Sequence, residues 1–250
     1  GACLRIRNLH TFGLGESALA EPLKDLMQRG REPAVGTTVS GGIVSVRIYA
    51  RGNSPADADR ALDDAEHVIR ARVGDLVFGV DQTTLPDAVA TLLLEQRATV
   101  TTAESCTGGL LAKYLTDVPG SSAYFQMGVI AYSNKAKYER LGVNLEMLKI
   151  YGAVSEPVVD AMARNARRLA KSTYALSISG IAGPDGGSAS KPVGTVCIAL
   201  AYPQDDDPRE TGTLMRTFNF PGDREMVRDR AAKMALTMLR FRLLGKPMPF

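Results

Sequence analysis

The sequence has few of the residues from which disulfide frameworks and zinc sites are built. Its three cysteines, Cys3, Cys106 and Cys197, lie far apart along 250 residues. A disulfide framework needs more cysteines, and a zinc site needs them at closer spacing. We therefore expect reduced thiols and no metal centre.

Long apolar runs are also missing. The stretch VCIALAY at 196–202 is far shorter than the roughly 20 residues that a membrane-spanning helix requires, and no secretory signal opens the chain. We expect a cytoplasmic protein that does not contact a membrane. The first residues are Gly-Ala rather than Met, which suggests that an upstream segment is missing.

Neither positive charge nor histidine is abundant. The formal net charge is only +3, and no run of arginine and lysine is interleaved with aromatic residues, so the sequence predicts no nucleic-acid partner. The two histidines, His10 and His67, both belong to the first half of the chain. A Ser-His-Asp triad confined to the second half is therefore excluded.

The chain is long enough for two modest domains, which we place at 1–83 and 84–250. Residues 1–83 carry strand and helix signals in the order βαββαβ, which predicts a small α+β domain. Within it, Ser54 and Pro55 mark the start of a helix. The polar segment DQTTLPD at 81–87 then separates this domain from the next helix.

The second domain is predicted to be α/β, with a mixed sheet and helices on both faces. Its strand signals lie at 98–103, 124–132, 174–180, 194–202 and 213–220, and its helical patterns lie at 108–117, 134–141, 156–172 and 223–243. We expect the last two strands to form a hairpin across the acidic segment PQDDDPRE at 203–210. The core face of the third helix is predicted to consist of Val158, Met162, Ala166 and Leu169.

A Ser-Cys-Thr-Gly-Gly elbow at 105–109 joins the first of these strands to the first of these helices. Unpaired backbone N–H groups and the positive end of the helix dipole converge at such a place, which favours an anion. Ser105 at the same place could instead attack a carbonyl while the amides stabilise the oxyanion. Serine and threonine are also common helix caps, so a purely structural role fits the same residues.

A serine nucleophile needs a base, and lysine is the remaining candidate. The stretch GVIAYSNKAKYERLG at 128–142 puts Tyr132 at a strand end, Ser133 as a cap and Lys137 one turn into the next helix. The helix dipole and burial both lower the pKa of an amine there. Lys135 lies roughly opposite on the helix and should face solvent. Cys106 is a rival nucleophile, because a thiol is intrinsically more reactive.

A second glycine-rich stretch, SISGIAGPDGGSASKPVGTV at 177–196, lies between two strands. The loop is expected at a sheet edge, where ligand sites of α/β proteins form. It matches neither the P-loop nor the dinucleotide-binding pattern, and its glycines also fit a simple flexible turn.

Arg224 and Arg228 share one face at the start of the last helix. Guanidinium groups pair well with phosphate. A solvated pair beside Asp223 and Glu225 is the simpler interpretation.

Taken together, the motifs TTAESCTGG, GSSAYFQMGVIAYSNKAK, GAVSEPVV, SISGIAGPDGG, KPVGTV and PGDREMVR resemble the C-terminal domain of the CinA family over residues 84–245. Residues 1–83 resemble the KH-like domain that precedes it in long members, but they lack a GXXG clamp, so RNA binding is not expected. Long members also carry a domain similar to molybdopterin-binding proteins, associated with ADP-ribose pyrophosphatase activity. That activity should be missing from this chain.

The resemblance implies an amidohydrolase that converts nicotinamide mononucleotide to nicotinate mononucleotide and ammonia without a metal or cofactor. It implies Ser105 as the nucleophile, with Tyr132 and Lys137 as acid/base partners. The substrate contacts expected at matching positions are Glu104, Cys106, Thr107, Gly108, Gly109, Gly180, Gly183, Thr195 and Arg228. Among these, the amides of 106–109 would hold the oxyanion and Glu104 would face the cationic pyridinium ring.

Two other functions fit the same sequence. One is a non-catalytic nucleotide-binding or regulatory module linked to competence or DNA damage, and the other is a serine-lysine hydrolase that acts on a peptide or another amide. A homo-oligomer is also expected, and the Met and Leu residues of MALTMLRFRLLG near the end of the chain fit a subunit interface as well as a core.

Overall fold

A computed structural model describes residues 3–204, 207 and 209–250 of the chain. The chain divides into two compact units. The first comprises residues 1–88 together with 249–250, and the second comprises residues 89–248.

The first unit is a four-stranded antiparallel sheet, in the order β2-β3-β1-β4, with a long helix packed against it. Its elements are β1 (Cys3–Thr11), α1 (Glu16–Ala20), β2 (Ala34–Ser40), β3 (Ile43–Gly52), α2 (Pro55–Val73) and β4 (Val77–Val80). The βαββαβ order is confirmed. Ser54 caps α2 by accepting a hydrogen bond from the Asp57 N–H at 3.2 Å.

The second unit is built on a five-stranded mixed sheet in the order β6-β5-β7-β8-β9. Its strands are β5 (Val100–Glu104), β6 (Phe125–Ile130), β7 (Tyr174–Gly180), β8 (Thr195–Pro203) and β9 (Thr211–Asn219). β5 pairs in parallel with β6 and β7, whereas β8 pairs antiparallel with β7 and β9. The expected mixed sheet and final hairpin are therefore confirmed, although Asp205, Asp206 and Pro208 of the acidic hairpin segment lie outside the described residues.

Helices cover both faces of this sheet, as expected. The helices are α3 (Leu85–Glu95), which spans the boundary between the units, α4 (Leu110–Thr116), α5 (Asn134–Leu141), α6 (Leu145–Tyr151), α7 (Glu156–Ala170) and α8 (Arg224–Leu243). Ala103 of β5 joins the α7 core, whereas its neighbour Glu104 contacts α4. Because adjacent strand residues point to opposite faces, α7 lies on one face, and α4 with its neighbour α8 lies on the other.

The topology brings four of the segments singled out in the sequence to one edge of the sheet. The parallel strands β5, β6 and β7 all end there. β8 begins at the same edge and β9 ends there, because Thr195 pairs with Asn219. The elbow, the Tyr132 segment, the glycine-rich loop and the start of α8 consequently meet, as at the ligand sites of other open α/β sheets.

The core face of α7 differs in one residue from the expected one. Val158, Met162 and Ala166 are fully buried, but Leu169 is 49% exposed. The α7 contribution to the core ends at Ala166, so the last turn of the helix is only partly covered. No described helix is long and apolar enough to cross a membrane.

This difference gives a matched pair of substitutions on one helix. We predict that Met162→Ala lowers the free energy of unfolding by about 2–5 kcal/mol, because it opens a cavity between α7 and the sheet. Leu169→Ala should cost less than about 1 kcal/mol, because half of that side chain is already in water. Urea denaturation of both variants measures the difference, and equal losses would contradict the assigned core.

Candidate active site

The elbow turns sharply between strand and helix. β5 ends at Glu104, Ser105 follows directly, and α4 begins only at Leu110. Gly108 and Gly109 have φ angles of +60° and +96°, which glycine adopts without steric cost. The Ser105 N–H donates to the carbonyl of Ile178 on β7 at 2.9 Å, so the nucleophile candidate is fixed to the sheet.

Glu104, rather than Ser105 or Thr107, caps the helix that follows the elbow. Its carboxylate, 1% exposed, accepts hydrogen bonds from the N–H groups of Gly109 (3.0 Å), Leu111 (3.1 Å) and Ala112 (2.8 Å). A carboxylate there also complements the positive end of the helix dipole. This cap leaves the hydroxyl of Ser105 free for chemistry.

The same cap corrects two expectations. The start of α4 does not form an anion cradle, because the Gly109 amide and two amides after it are already bound to Glu104. Glu104 itself points into the helix and does not face a pyridinium ring. A negatively charged part of any substrate must therefore bind elsewhere at this edge.

Lys137 contacts Ser105 from the neighbouring helix. Its Nζ lies 3.0 Å from Ser105 Oγ, 3.0 Å from the Ala131 carbonyl oxygen and 3.3 Å from that of Tyr132. Ser133 caps the start of α5 by accepting from the Ala136 N–H. As expected, Lys135 points the other way, and its side chain is 80% exposed.

The surroundings of Lys137 favour a neutral amine. The side chain is 1% exposed, it makes no ion pair among the described residues, and burial lowers the pKa of its amine. A neutral amine has two N–H bonds and one lone pair. If the N–H bonds point to the carbonyls of Ala131 and Tyr132, the lone pair faces the hydroxyl of Ser105.

Two backbone amides beside Ser105 remain open. Within the described chain, the N–H groups of Cys106 and Thr107 donate to no other residue, whereas Gly108 N–H donates to the Ser105 carbonyl at 3.0 Å. Gly109 is bound to Glu104, as described above. The amides available to an oxyanion are thus the first two of the four expected from the sequence.

Cys106 is poorly suited to act as the nucleophile. The residue is 6% exposed, and burial raises the pKa of its thiol to about 11, which disfavours the reactive thiolate. Its Sγ lies against Gly180, where an added Cβ would come within 3.1 Å of the sulfur. Gly180 therefore provides space for the elbow.

The arginines of α8 bind the loops of the site, and Arg228 is partly buried, whereas Arg224 is exposed as the sequence suggested. Arg228 donates to the carbonyls of Cys106 (3.1 Å) and Thr107 (2.8 Å). Arg224 donates to the Gly183 carbonyl and to the Tyr132 hydroxyl, both at 2.9 Å. Both side chains thus join α8 to the loops of the site.

Tyr132 is close to the site but is not hydrogen-bonded to Ser105. Its carbonyl accepts from Lys137, whereas its hydroxyl is held by Arg224 and its side chain is exposed. Thr195 uses its hydroxyl to donate to the Pro192 carbonyl at 2.7 Å. Neither side chain extends the hydrogen bonds of the Ser105–Lys137 pair.

One contributor was not singled out from the sequence. Lys191 Nζ donates to the carbonyls of Tyr151 (2.8 Å) and Val154 (2.6 Å). These bonds tie the glycine-rich loop to the segment between α6 and α7. The loop is therefore anchored at both sides, through Lys191 and through the bond between Gly183 and Arg224.

A buried lysine on a serine, at the edge of a mixed α/β sheet, is an arrangement suited to acyl transfer. Family comparison agrees with the motifs. Residues 82–243 match the CinA C-terminal domain, and residues 6–79 match the KH domain of the damage-inducible protein CinA. The chain belongs to the CinA family.

Relatives whose names also refer to CinA or to competence and damage inducibility match nearly the whole chain. A putative competence-damage inducible protein of Symbiobacterium thermophilum is 48% identical over 241 residues, which are 96% of this chain and 57% of that protein. A CinA-like protein of Synechococcus sp. is 43% identical over 96% of this chain and 56% of its own length. The chain thus spans somewhat more than half the length of these curated relatives.

Solved structures match the larger part of the chain. The competence/damage inducible protein CihA from Agrobacterium tumefaciens is 37% identical, with a TM-score of 0.59, over 64% of this chain and 93% of that one. A CinA superfamily protein from Klebsiella pneumoniae gives 36% identity and the same TM-score over 64% of this chain and 96% of its own.

The cap made by Glu104 predicts a stability effect. Glu104→Gln should lower the free energy of unfolding by about 1–3 kcal/mol, because an amide group cannot accept all three N–H bonds and one buried donor loses its partner. Glu139→Gln on α5 is the control. Glu139 is exposed, and its ion pair with the exposed Lys135 is long, at 3.8 Å, so its loss should change stability little. Chemical denaturation of both variants tests the cap, and equal stabilities would show that Glu104 is not needed for it.

Proposed function

We propose that this chain is an amidohydrolase that converts nicotinamide mononucleotide to nicotinate mononucleotide and ammonia. The reaction type is supported chiefly by one observation, the 3.0 Å contact between the buried Lys137 amine and Ser105 Oγ. The substrate is supported by the resemblance of the site motifs to those of nicotinamide mononucleotide deamidases in this family.

In the first half of the reaction, Ser105 forms an acyl-enzyme. Neutral Lys137 takes the hydroxyl proton while Ser105 Oγ attacks the carboxamide carbon. The N–H groups of Cys106 and Thr107 stabilise the oxyanion that develops. Lys137 then gives its proton to the leaving nitrogen, so that ammonia departs and an ester to Ser105 remains.

In the second half, water hydrolyses this ester. Lys137 is neutral again after ammonia has left, and it removes a proton from the attacking water. Collapse of the second tetrahedral intermediate returns the proton to Ser105 Oγ and releases the carboxylic acid, which then loses its remaining proton to water and becomes the carboxylate. Each half needs only the one buried base, and no metal takes part in either.

Tyr132 has a less direct place in this scheme. Its hydroxyl accepts a hydrogen bond from Arg224 and is hydrogen-bonded to neither Ser105 nor Lys137 in the described part of the chain. We therefore assign both proton transfers to Lys137 and keep Tyr132 at the mouth of the site. Exposed Ile130, the residue that ends β6, borders the same mouth and contacts Gly109.

The nucleophile is tested by comparing variants of adjacent residues. We expect purified protein to release ammonia from nicotinamide mononucleotide, Ser105→Ala to lower kcat/KM by at least about 1000-fold, and Cys106→Ala to keep most of the activity. Loss of activity in Cys106→Ala alone would assign the chemistry to the thiol. Binding without turnover would favour the regulatory module, and turnover of other amides alone would indicate a different serine-lysine hydrolase.

The base is tested by pH dependence. Only the unprotonated Lys137 amine can accept a proton, so kcat/KM should rise with pH through the pKa of this group. Burial lowers that pKa, so the rise should occur below the range of an ordinary lysine. Lys137→Met should lower kcat by about 100- to 10,000-fold and remove the rise, whereas Lys135→Met should change neither. A rise that persists in Lys137→Met would exclude this base.

A further inference from the structure

The peptide groups that carry the two open amides are each fixed at their carbonyl end. A peptide unit is planar, and its C=O and N–H bonds point in opposite directions. The N–H of Cys106 belongs to the unit whose carbonyl is that of Ser105, which accepts from the Gly108 N–H. The N–H of Thr107 belongs to the unit whose carbonyl is that of Cys106, which accepts from Arg228 Nε.

Arg228 therefore sets the direction of one amide from the opposite side of its peptide group. Its Nη2 also binds the Thr107 carbonyl at 2.8 Å, while Nε binds that of Cys106 at 3.1 Å. A planar guanidinium that binds the carbonyls of two successive residues restricts the rotation of the two peptide units to which these carbonyls belong. The next residue in the chain is Gly108, where the backbone turns with a φ angle of +60°.

The charge of Arg228, like its geometry, acts on the Thr107 N–H. Arg228 forms no ion pair with a carboxylate in the described part of the chain, whereas Lys233 on the same helix pairs with Asp229. Hydrogen bonds from a cation are stronger than neutral ones. Such a bond to the Cys106 carbonyl polarises the peptide and makes the Thr107 N–H a better donor.

We propose that Arg228 is a positioning residue that aims and polarises the Thr107 amide toward the oxyanion, and that it does not bind the substrate phosphate. This inference rests on the proposed amidohydrolase reaction. It differs from the expectation of a substrate contact at Arg228, since the contacts observed for the guanidinium are with the two carbonyls of the elbow. An aimed amide matters in the transition state, where the negative charge develops, and little for the bound ground state.

The test measures two quantities on three variants, namely Arg228→Lys, Arg228→Met and the control Arg230→Met. The quantities are kcat for nicotinamide mononucleotide and the Kd of the product nicotinate mononucleotide, which carries the same phosphate. Arg230 is on the same helix and donates to the Pro221 carbonyl, away from the elbow. Circular dichroism verifies folding, and Arg228→Lys, which keeps the charge, carries the test if Arg228→Met does not fold.

We expect Arg228→Met to lower kcat by about 10- to 1000-fold, because a misaimed donor should cost no more than the roughly 100- to 1000-fold seen when one oxyanion donor is removed. The Kd of the product should change less than about 3-fold. Arg228→Lys should lose less, because one ammonium can still polarise one carbonyl, and Arg230→Met should match the wild type. The pH at which kcat/KM rises should not change, because Lys137 is not substituted.

Other results would overturn the inference. A rise in product Kd with kcat preserved would make Arg228 a phosphate ligand, and unchanged kcat in a folded Arg228→Lys and Arg228→Met would remove any role. Failure of the proposed function looks different, because the wild-type protein itself would then release no ammonia.

Discussion

The chemistry proposed for this site depends on the burial of one amine, that of Lys137. Lys137 reaches from the first turn of α5 to Ser105, where two carbonyl oxygens accept hydrogen bonds. No carboxylate of the residues that the structure describes forms an ion pair with it. Removing water from a lysine disfavours its protonated form. The same burial that makes Lys137 costly for stability makes it useful as a base, because a protonated amine beside a serine has no lone pair to offer.

The rest of the second unit holds this pair in place. Glu104 closes the start of α4 and so keeps the Ser105 hydroxyl out of the cap, and β7 binds the Ser105 amide. Arg224 and Arg228 extend from α8 to the loops on either side. The acceptors of both arginines are backbone carbonyls and the Tyr132 hydroxyl rather than acidic side chains.

The sequence predicts the order of elements and the chemical pair well, for physical reasons. Strands and helices of the second unit follow their hydrophobic periods, and the scarcity of histidine leaves lysine as the base for Ser105. The parallel pairing of β5 and β6 then brings Lys137 to the elbow. That step needs only the rule that parallel strands end at one edge.

Other features depend on three-dimensional contacts that local patterns do not carry. Glu104 caps a helix that begins six residues later, which follows only once the strand direction aims its side chain at α4. The arginines beside Asp223 and Glu225 look solvated until α8 packs against α4. Leu169 has helical spacing but lies in a turn that the core does not cover, and the short helix α6 has too few residues for a clear period.

The most direct measurement of the central claim is an NMR titration of protein labelled with ¹³C at the ε carbon of lysine. The Lys137 signal is assigned by its loss in Lys137→Arg. We expect Lys137 to titrate below the ordinary range of lysine and to be largely neutral at the pH of maximal activity, because burial lowers its pKa. Titration of Lys137 within the ordinary range of lysine would contradict its assignment as the base.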